Sequence, residues 1–195
     1  MMNVVLLEPE MPANTGNIGR TCVATDTRLH LIEPLGFKLN EKAIKRAGLD
    51  YWDKLDVRVY SDYQDFLTKN PDALGKLYFA TTKARNVYSD VSYEPDCYLM
   101  FGKESAGIPE EILVANESAC IRIPMWGDIR SLNLSNSVAI VPTRPYAKTG
   151  SEPSPPKAIS TASTGAPNNF NQFPPALLCF DVCRQAFAGG RRPRV

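Results

Sequence analysis

Ile121-Arg-Ile-Pro-Met-Trp-Gly-Asp-Ile-Arg-Ser-Leu-Asn-Leu-Ser-Asn-Ser-Val-Ala-Ile-Val141 decides how this chain is read. It opens as a buried strand, turns, gathers small polar residues and enters a helix. Ser131, Asn133, Ser135 and Asn136 crowd together before an apolar helix more tightly than a structural loop requires. One of the four can cap that helix, because Ser and Asn oxygens accept the orphan amide protons of a first turn. The other three want a ligand, a backbone partner or water. A polar cluster between strand end and helix start is where α/β folds hold their ligands.

Two other junctions share this character. Asn14-Thr-Gly-Asn-Ile-Gly-Arg20 follows the apolar run at 3–7 and enters a helix predicted over 14–25. On that helix Ile18 and Cys22 share a face and Arg20 points nearly opposite. Amides, two asparagines and a guanidinium near a helix start suit an anion such as phosphate, the plain alternative being a capped helix with a solvated arginine. Phe101-Gly-Lys-Glu-Ser-Ala-Gly-Ile-Pro109 follows the strand-like run at 98–101. Its Gly102 and Gly107 permit close backbone approach or positive φ, with Glu104 between them. Neither stretch has the glycine spacing of a Walker loop or a GxGxxG fingerprint.

Further strands are predicted at 28–32, 57–60, 76–80 and 121–123, and helices at 41–49, 63–69, from Pro109 and at 134–141. Strand and helix alternate, which predicts a mostly parallel sheet flanked by helices. In such a sheet the three polar junctions lie on one edge, and together they argue for a site more strongly than any one alone. His30, between Leu29 and Leu31 on a strand, reads as a structural histidine. Asp50, Asp53 and Asp56 lack a metal-loop pattern. Lys42, Lys45 and Arg46 with Tyr51 and Trp52 form a small basic and aromatic patch of the kind that neutralises phosphates and stacks on unpaired bases, or else an exposed helix beside two core aromatics.

The bulk composition fits an ordinary soluble domain. The 195 residues carry 22% charged and 44% hydrophobic side chains, with a net charge of +1. That argues against a strongly basic nucleic-acid binder while leaving room for a local patch. No apolar run is long enough to span a bilayer, and no basic leader precedes the first strand, so a cytoplasmic protein is expected. Cys22, Cys97, Cys120, Cys179 and Cys183 form no CxxC pair and read as buried free thiols. No metal site is expected.

At Pro142 the composition changes. Eight prolines fall between residues 142 and 175 among Ser, Thr, Ala, Gly and Asn. This is linker composition, and Pro142 should stop the helix before it, since an interior proline costs a helix about 3 kcal/mol. Residues 176–187 form a plausible amphipathic helix, followed by a basic tail. The expected organisation is a domain over 1–141, a proline-rich insertion or linker over 142–175, and a displaced helix and tail over 176–195.

Read in order, Asn14-x-Gly-Asn-x-x-Arg20, Phe101-Gly-x-Glu-x-x-Gly-Ile-Pro109 and Ile121-Arg-Ile-Pro-Met125 with Ser131-Leu-Asn-Leu-Ser-Asn-Ser-Val138 resemble the SPOUT superfamily of RNA methyltransferases. Within it they are similar to the small enzymes that methylate the ribose 2′-oxygen of tRNA wobble nucleotide 34. The stretches at 8–20, 28–37 and 46–53 resemble that subfamily too. The likeness covers about residues 2–141. It implies a deep C-terminal trefoil knot and a homodimer with its active site across the interface. It implies S-adenosylmethionine as cofactor, held near Ala80, Gly102, Ile123 and Ser131, and the anticodon stem-loop of tRNA as partner. It implies catalytic roles for Arg20, Asn14, Glu104, Ser131 and Asn133, with Arg20 near the ribose hydroxyl.

In that family the helix beginning at Ser135 runs on unbroken, and Phe180-Asp-Val-Cys-Arg-Gln185 resembles its missing half. The proline-rich segment therefore reads as an insertion in the last helix, either a loop or coding sequence foreign to the mature protein. Two other functions stay open at this point. One is an RNA-binding module that has lost catalysis through disruption of the knot. The other is a generic nucleotide-binding α/β protein.

Overall fold

The computed structural model describes residues 1–38 and 51–148, with side chains described up to residue 142. The chain divides into two units, Met1–Pro153 and Ser154–Val195, and the second lies wholly outside the described residues. So do the expected helix at 41–49, the cations Lys42, Lys45 and Arg46, most of the proline-rich segment, the expected helix at 176–187, Cys179 and Cys183.

The first unit alternates strand and helix: β1 (Asn3–Leu7), α1 (Pro12–Ala24), β2 (Arg28–Ile32), β3 (Val57–Tyr60), α2 (Tyr63–Lys69), β4 (Leu77–Ala80), β5 (Asn86–Val87), β6 (Tyr98–Phe101), α3 (Glu110–Ala115), β7 (Cys120–Arg122) and α4 (Leu134–Lys148). The strands form one sheet in the order β3-β2-β1-β6-β4-β7-β5. Every neighbouring pair in it runs parallel.

β1 is buried along its whole length. That is the pattern of a parallel strand covered on both faces, and successive side chains serve different faces. Val4 and Leu6 join Ile18, Cys22, Leu99, Val138 and Val141 in one core beneath α1 and α4. Val5 and Leu7 join Phe66, Phe79, Met100 and Leu113 in the other, beneath α2 and α3. Among the described residues no helix is long and apolar enough to cross a membrane.

Local chemistry sets the helix ends. The Asp62 side chain accepts from the Asp65 amide at 2.8 Å and caps α2. Glu110 and Glu111 occupy the first turn of α3, directly after Pro109, where negative charge complements the helix dipole. α1 begins at Pro12, two positions before the predicted start at 14, because proline fits a first turn whose amides need no helical partner. β5 has only two residues, too few to leave an alternation that sequence could show.

The expectation at Pro142 needs correction. α4 does not stop there and runs on to Lys148. Val138 and Val141 are almost completely buried against the core. We attribute the continuation to this anchoring, because tertiary packing routinely overrides the propensity cost of one proline.

His30 is the structural residue that its position predicts. It is fully buried, with Nδ1 2.8 Å from the Tyr60 hydroxyl and Nε2 3.1 Å from Asn3 Oδ1. An amide oxygen only accepts, so the geometry assigns the ring proton to Nε2. Burial, with Arg28 and Arg58 nearby, pushes its pKa down to about 4. Cys22, Cys97 and Cys120 are buried free thiols, and burial pushes Cys22 up to about 12 and Cys97 up to about 11.

Candidate active site

The three polar junctions lie at the C-terminal ends of β1, β6 and β7, and parallel pairing puts those ends on one edge. The turn after β6 is the tightest. A Cβ on Gly102 would fall 2.1 Å from the Gly107 carbonyl carbon and 2.3 Å from the Ile108 nitrogen, so only glycine fits. The Gly107 amide donates to the Lys103 carbonyl at 2.8 Å, and Gly107 itself has φ +74°. This small loop presents Glu104 toward α1.

Asn14, Glu104 and Asn133, singled out in the sequence, are joined by hydrogen bonds. Asn14 Nδ2 donates to Glu104 Oε1 at 2.9 Å, and Asn133 Nδ2 donates to Asn14 Oδ1 at 3.1 Å. Asn133 also caps α4, its Oδ1 accepting from the Ser135 amide at 2.9 Å and the Ser135 hydroxyl at 2.7 Å. The direction of the chain follows from its ends. A backbone amide can only donate, so Asn133 turns its oxygen to Ser135 and its NH₂ to Asn14. Asn14 must then accept from Asn133 and donate to Glu104. The other Glu104 oxygen accepts from the Glu10 amide at 2.8 Å.

The loop after β1 supplies partners that the motif reading did not single out. Glu10 accepts from the Ser105 hydroxyl at 2.7 Å and the Ser105 amide at 2.8 Å. Those bonds, with Lys103 nearby, hold its carboxyl below the usual range. Glu8, at φ +51°, pairs with Lys103 at 2.8 Å, and this partner raises the lysine pKa. Two charged residues immediately after a buried strand are the local hint of this clasp.

Beside the network opens a cleft of about 540 Å³. Ala80, Gly102, Ile123 and Ser131, the residues expected around the cofactor, all line it, as do Asn14, Glu104 and Asn133. Leu134 and Val141 of α4 and Ile108 add apolar wall. Thr81, Thr82 and Arg130 also line it and were missed, although the two threonines directly after β4 are a readable signal.

Arg20 is not brought into this cleft. It is exposed and absent from the lining, with its guanidinium carbon 4.9 Å from the ring centre of Tyr51. Six residues beyond Asn14 on a helix, it sits about 9 Å along the axis and roughly 120° around it. Tyr51 is buried, so this half of the expected aromatic patch belongs to the packing against α1.

The profile of the SpoU rRNA Methylase family matches residues 1–142. The chain belongs to the SpoU methylase family. A SpoU relative from Listeria innocua, provisionally named a tRNA (cytidine(34)-2′-O)-methyltransferase, is 53% identical over 142 residues, covering 71% of this chain and 83% of its own. A tRNA (cytidine(34)-2′-O)-methyltransferase from Photorhabdus asymbiotica is 47% identical over 145 residues, covering 72% of this chain and 90% of its own. A solved structure concerned with 2-OH methylation of C/U34 on tRNA is 39% identical with a TM-score of 0.71, over 76% of this chain and 96% of its own. An AdoMet-bound rRNA methyltransferase from Sinorhizobium meliloti, 23% identical with a TM-score of 0.65 over 75% of this chain and 56% of its own, shares the fold.

Proposed function

We propose that this SpoU-family chain transfers the methyl group of S-adenosylmethionine to the ribose 2′-hydroxyl of wobble nucleotide 34 in tRNA. The observation that carries the reading is the Glu104–Asn14–Asn133 network at the lip of a cleft lined by Ala80, Gly102, Ile123 and Ser131. The volume lies within the range of roughly 300–1,000 Å³ usual for small-molecule sites. Backbone at Gly102 and Ile123 would hold the adenine, and Leu134 and Val141 would exclude water beside it. When bound, the cofactor supplies a methyl group already activated on a sulfonium.

The residues of the chain then have three tasks. They must set the 2′-oxygen in line with the methyl carbon, hold the flanking phosphate and keep the loops fixed. Held by Ala80, Gly102, Ile123 and Ser131, the donor would supply its methyl carbon to the 2′-oxygen, whose proton would pass to water. Asn133 and Asn14 fix the lip of the cleft, with Glu104 as their terminal acceptor, and Ser131 offers a hydroxyl to the substrate. Arg20 serves as the cation for the phosphate beside the target ribose. A guanidinium stays protonated near neutral pH, so its role is electrostatic and orienting rather than that of a base.

The reading includes a homodimer in which Arg20 of one protomer serves the cleft of the other, and the separation of Arg20 from its own cleft supports this. It also includes the trefoil knot. β7 lies between β4 and β5, so residues 81–85 must arch past its end, and the chain leaving β7 has to pass that arch. This order of strands supports a threaded C-terminus. The catalytic unit ends near residue 141, the anticodon stem-loop is the part of the tRNA engaged, and the protein works in the cytoplasm.

Complementation tests the arrangement. Arg20→Ala is expected to bind S-adenosylmethionine like the wild type by calorimetry but to lose methyl transfer. Mixing and refolding Arg20→Ala with Asn133→Ala should restore about a quarter of wild-type activity, since half of the random dimers then hold one intact site. Wild-type transfer by Arg20→Ala would refute its assignment. An inactive mixture would refute the shared site.

A further inference from the structure

We propose that Tyr51 is a positioning residue, its ring holding the Arg20 guanidinium in the orientation methyl transfer requires. The inference rests on the role given to Arg20 above. The guanidinium carbon lies 4.9 Å from the centre of the Tyr51 ring, within cation–π range.

The ring is anchored to the helix that carries the arginine. Tyr51 is only 8% exposed, and its hydroxyl donates to the backbone carbonyl of Gly16, one turn before Arg20 on α1. Gly19 provides the second anchor. A Cβ there would meet Leu55 Cδ2 at 2.9 Å and Trp52 at 3.3 Å, so the 51–55 turn lies directly on the helix backbone. The turn is closed by the Lys54 amide on the Tyr51 carbonyl at 2.9 Å and the Leu55 amide on the Trp52 carbonyl at 3.1 Å.

The chemistry of the stack suits a phosphate ligand. A ring contact of this kind spends none of the guanidinium's N–H donors on a carboxylate or carbonyl. No carboxylate among the described residues pairs with Arg20. The edge donors therefore remain for a bidentate anion. The ring also restricts a long exposed side chain that would otherwise lose its rotamer freedom on binding RNA.

Two variants separate this from simple packing. Tyr51→Phe keeps the π face and loses the hydroxyl, whereas Tyr51→Met fills similar space without a π face. With S-adenosylmethionine and tRNA, Tyr51→Phe is expected within about twofold of wild-type kcat, and Tyr51→Met to fall about fivefold or more with the KM for the methyl donor unchanged. The Arg20 side-chain protons should be shifted upfield by the ring in wild type and Tyr51→Phe, and not in Tyr51→Met.

Wild-type kcat in Tyr51→Met overturns the proposal, as does an equal loss in Tyr51→Phe and Tyr51→Met. If Tyr51→Met fails to fold, the Arg20 proton shifts in the wild type decide, and their absence overturns the proposal. Arg20→Ala separates the two levels. Full activity there removes the arginine assignment and the tyrosine proposal together, while a crippled Arg20→Ala beside a fully active Tyr51→Met removes only the latter.

Discussion

Glu104 has both carboxylate oxygens engaged by donors, one from Asn14 and one from the Glu10 amide, so it acts as an anchor for the loops around it. Asn14 is the link that both donates and accepts, which makes its replacement informative. Asn14→Ala leaves Asn133 and Glu104 short of partners and is expected to cost about 1–3 kcal/mol of stability. Asn14→Asp is expected to do more harm, because a carboxylate cannot donate to Glu104 and repels it. Methyl transfer and thermal melting of both variants check this, and equal behaviour of the two would contradict the hydrogen-bond direction.

His30 gives a second test at the residue scale. Folding lowers its pKa from 6.5 to about 4, so the unfolded chain takes up the proton first. Its contribution to stability is complete above pH 6.5 and is lost as the pH falls toward 4, about 3 kcal/mol in all. Urea unfolding across that window should show the loss in wild type and a flatter profile in His30→Gln. Asn14, Glu104 and Asn133 stood out in the sequence because all three sit in polar strand-to-helix junctions, two of them close to glycines. The Glu10–Ser105 clasp did not, since its partners are 95 positions apart and the charges after β1 do not say what they pair with.

Among the elements, the turn from β6 to α3 carries the sharpest constraint. Gly102→Ala forces backbone apart, because its Cβ would lie 2.1 Å from the Gly107 carbonyl carbon. It is expected to weaken S-adenosylmethionine binding tenfold or more, a loss of about 1.4 kcal/mol or greater. Gly107→Ala meets no atom within 4 Å and bears only the cost of φ +74°, about 1–2 kcal/mol of stability. Calorimetry on the two variants should therefore rank Gly102→Ala as the worse binder, and the reverse order would contradict the role given to this turn. The long elements were readable from apolar runs. α4 was misjudged at its end because proline propensity is a local cost, whereas the burial of Val138 and Val141 depends on the whole sheet.

Across the whole molecule, alternation of strand and helix announced the parallel sheet, and three polar junctions announced the edge where its cleft lies. Periodicity carries no record of threading or of a second subunit. The proposed knot and shared site therefore draw their support from the order β4-β7-β5 and from the exposure of Arg20 away from its own cleft. The account stands on one claim at this scale: the turns after β1, β6 and β7 together place an activated methyl group beside a ribose oxygen. Incubating the full chain with unmodified tRNA and isotope-labelled S-adenosylmethionine, then mapping the labelled nucleoside, tests it directly. The expected result is a single ribose 2′-O-methyl group at nucleotide 34. A chain that binds both donor and tRNA yet leaves every ribose unlabelled would contradict the claim.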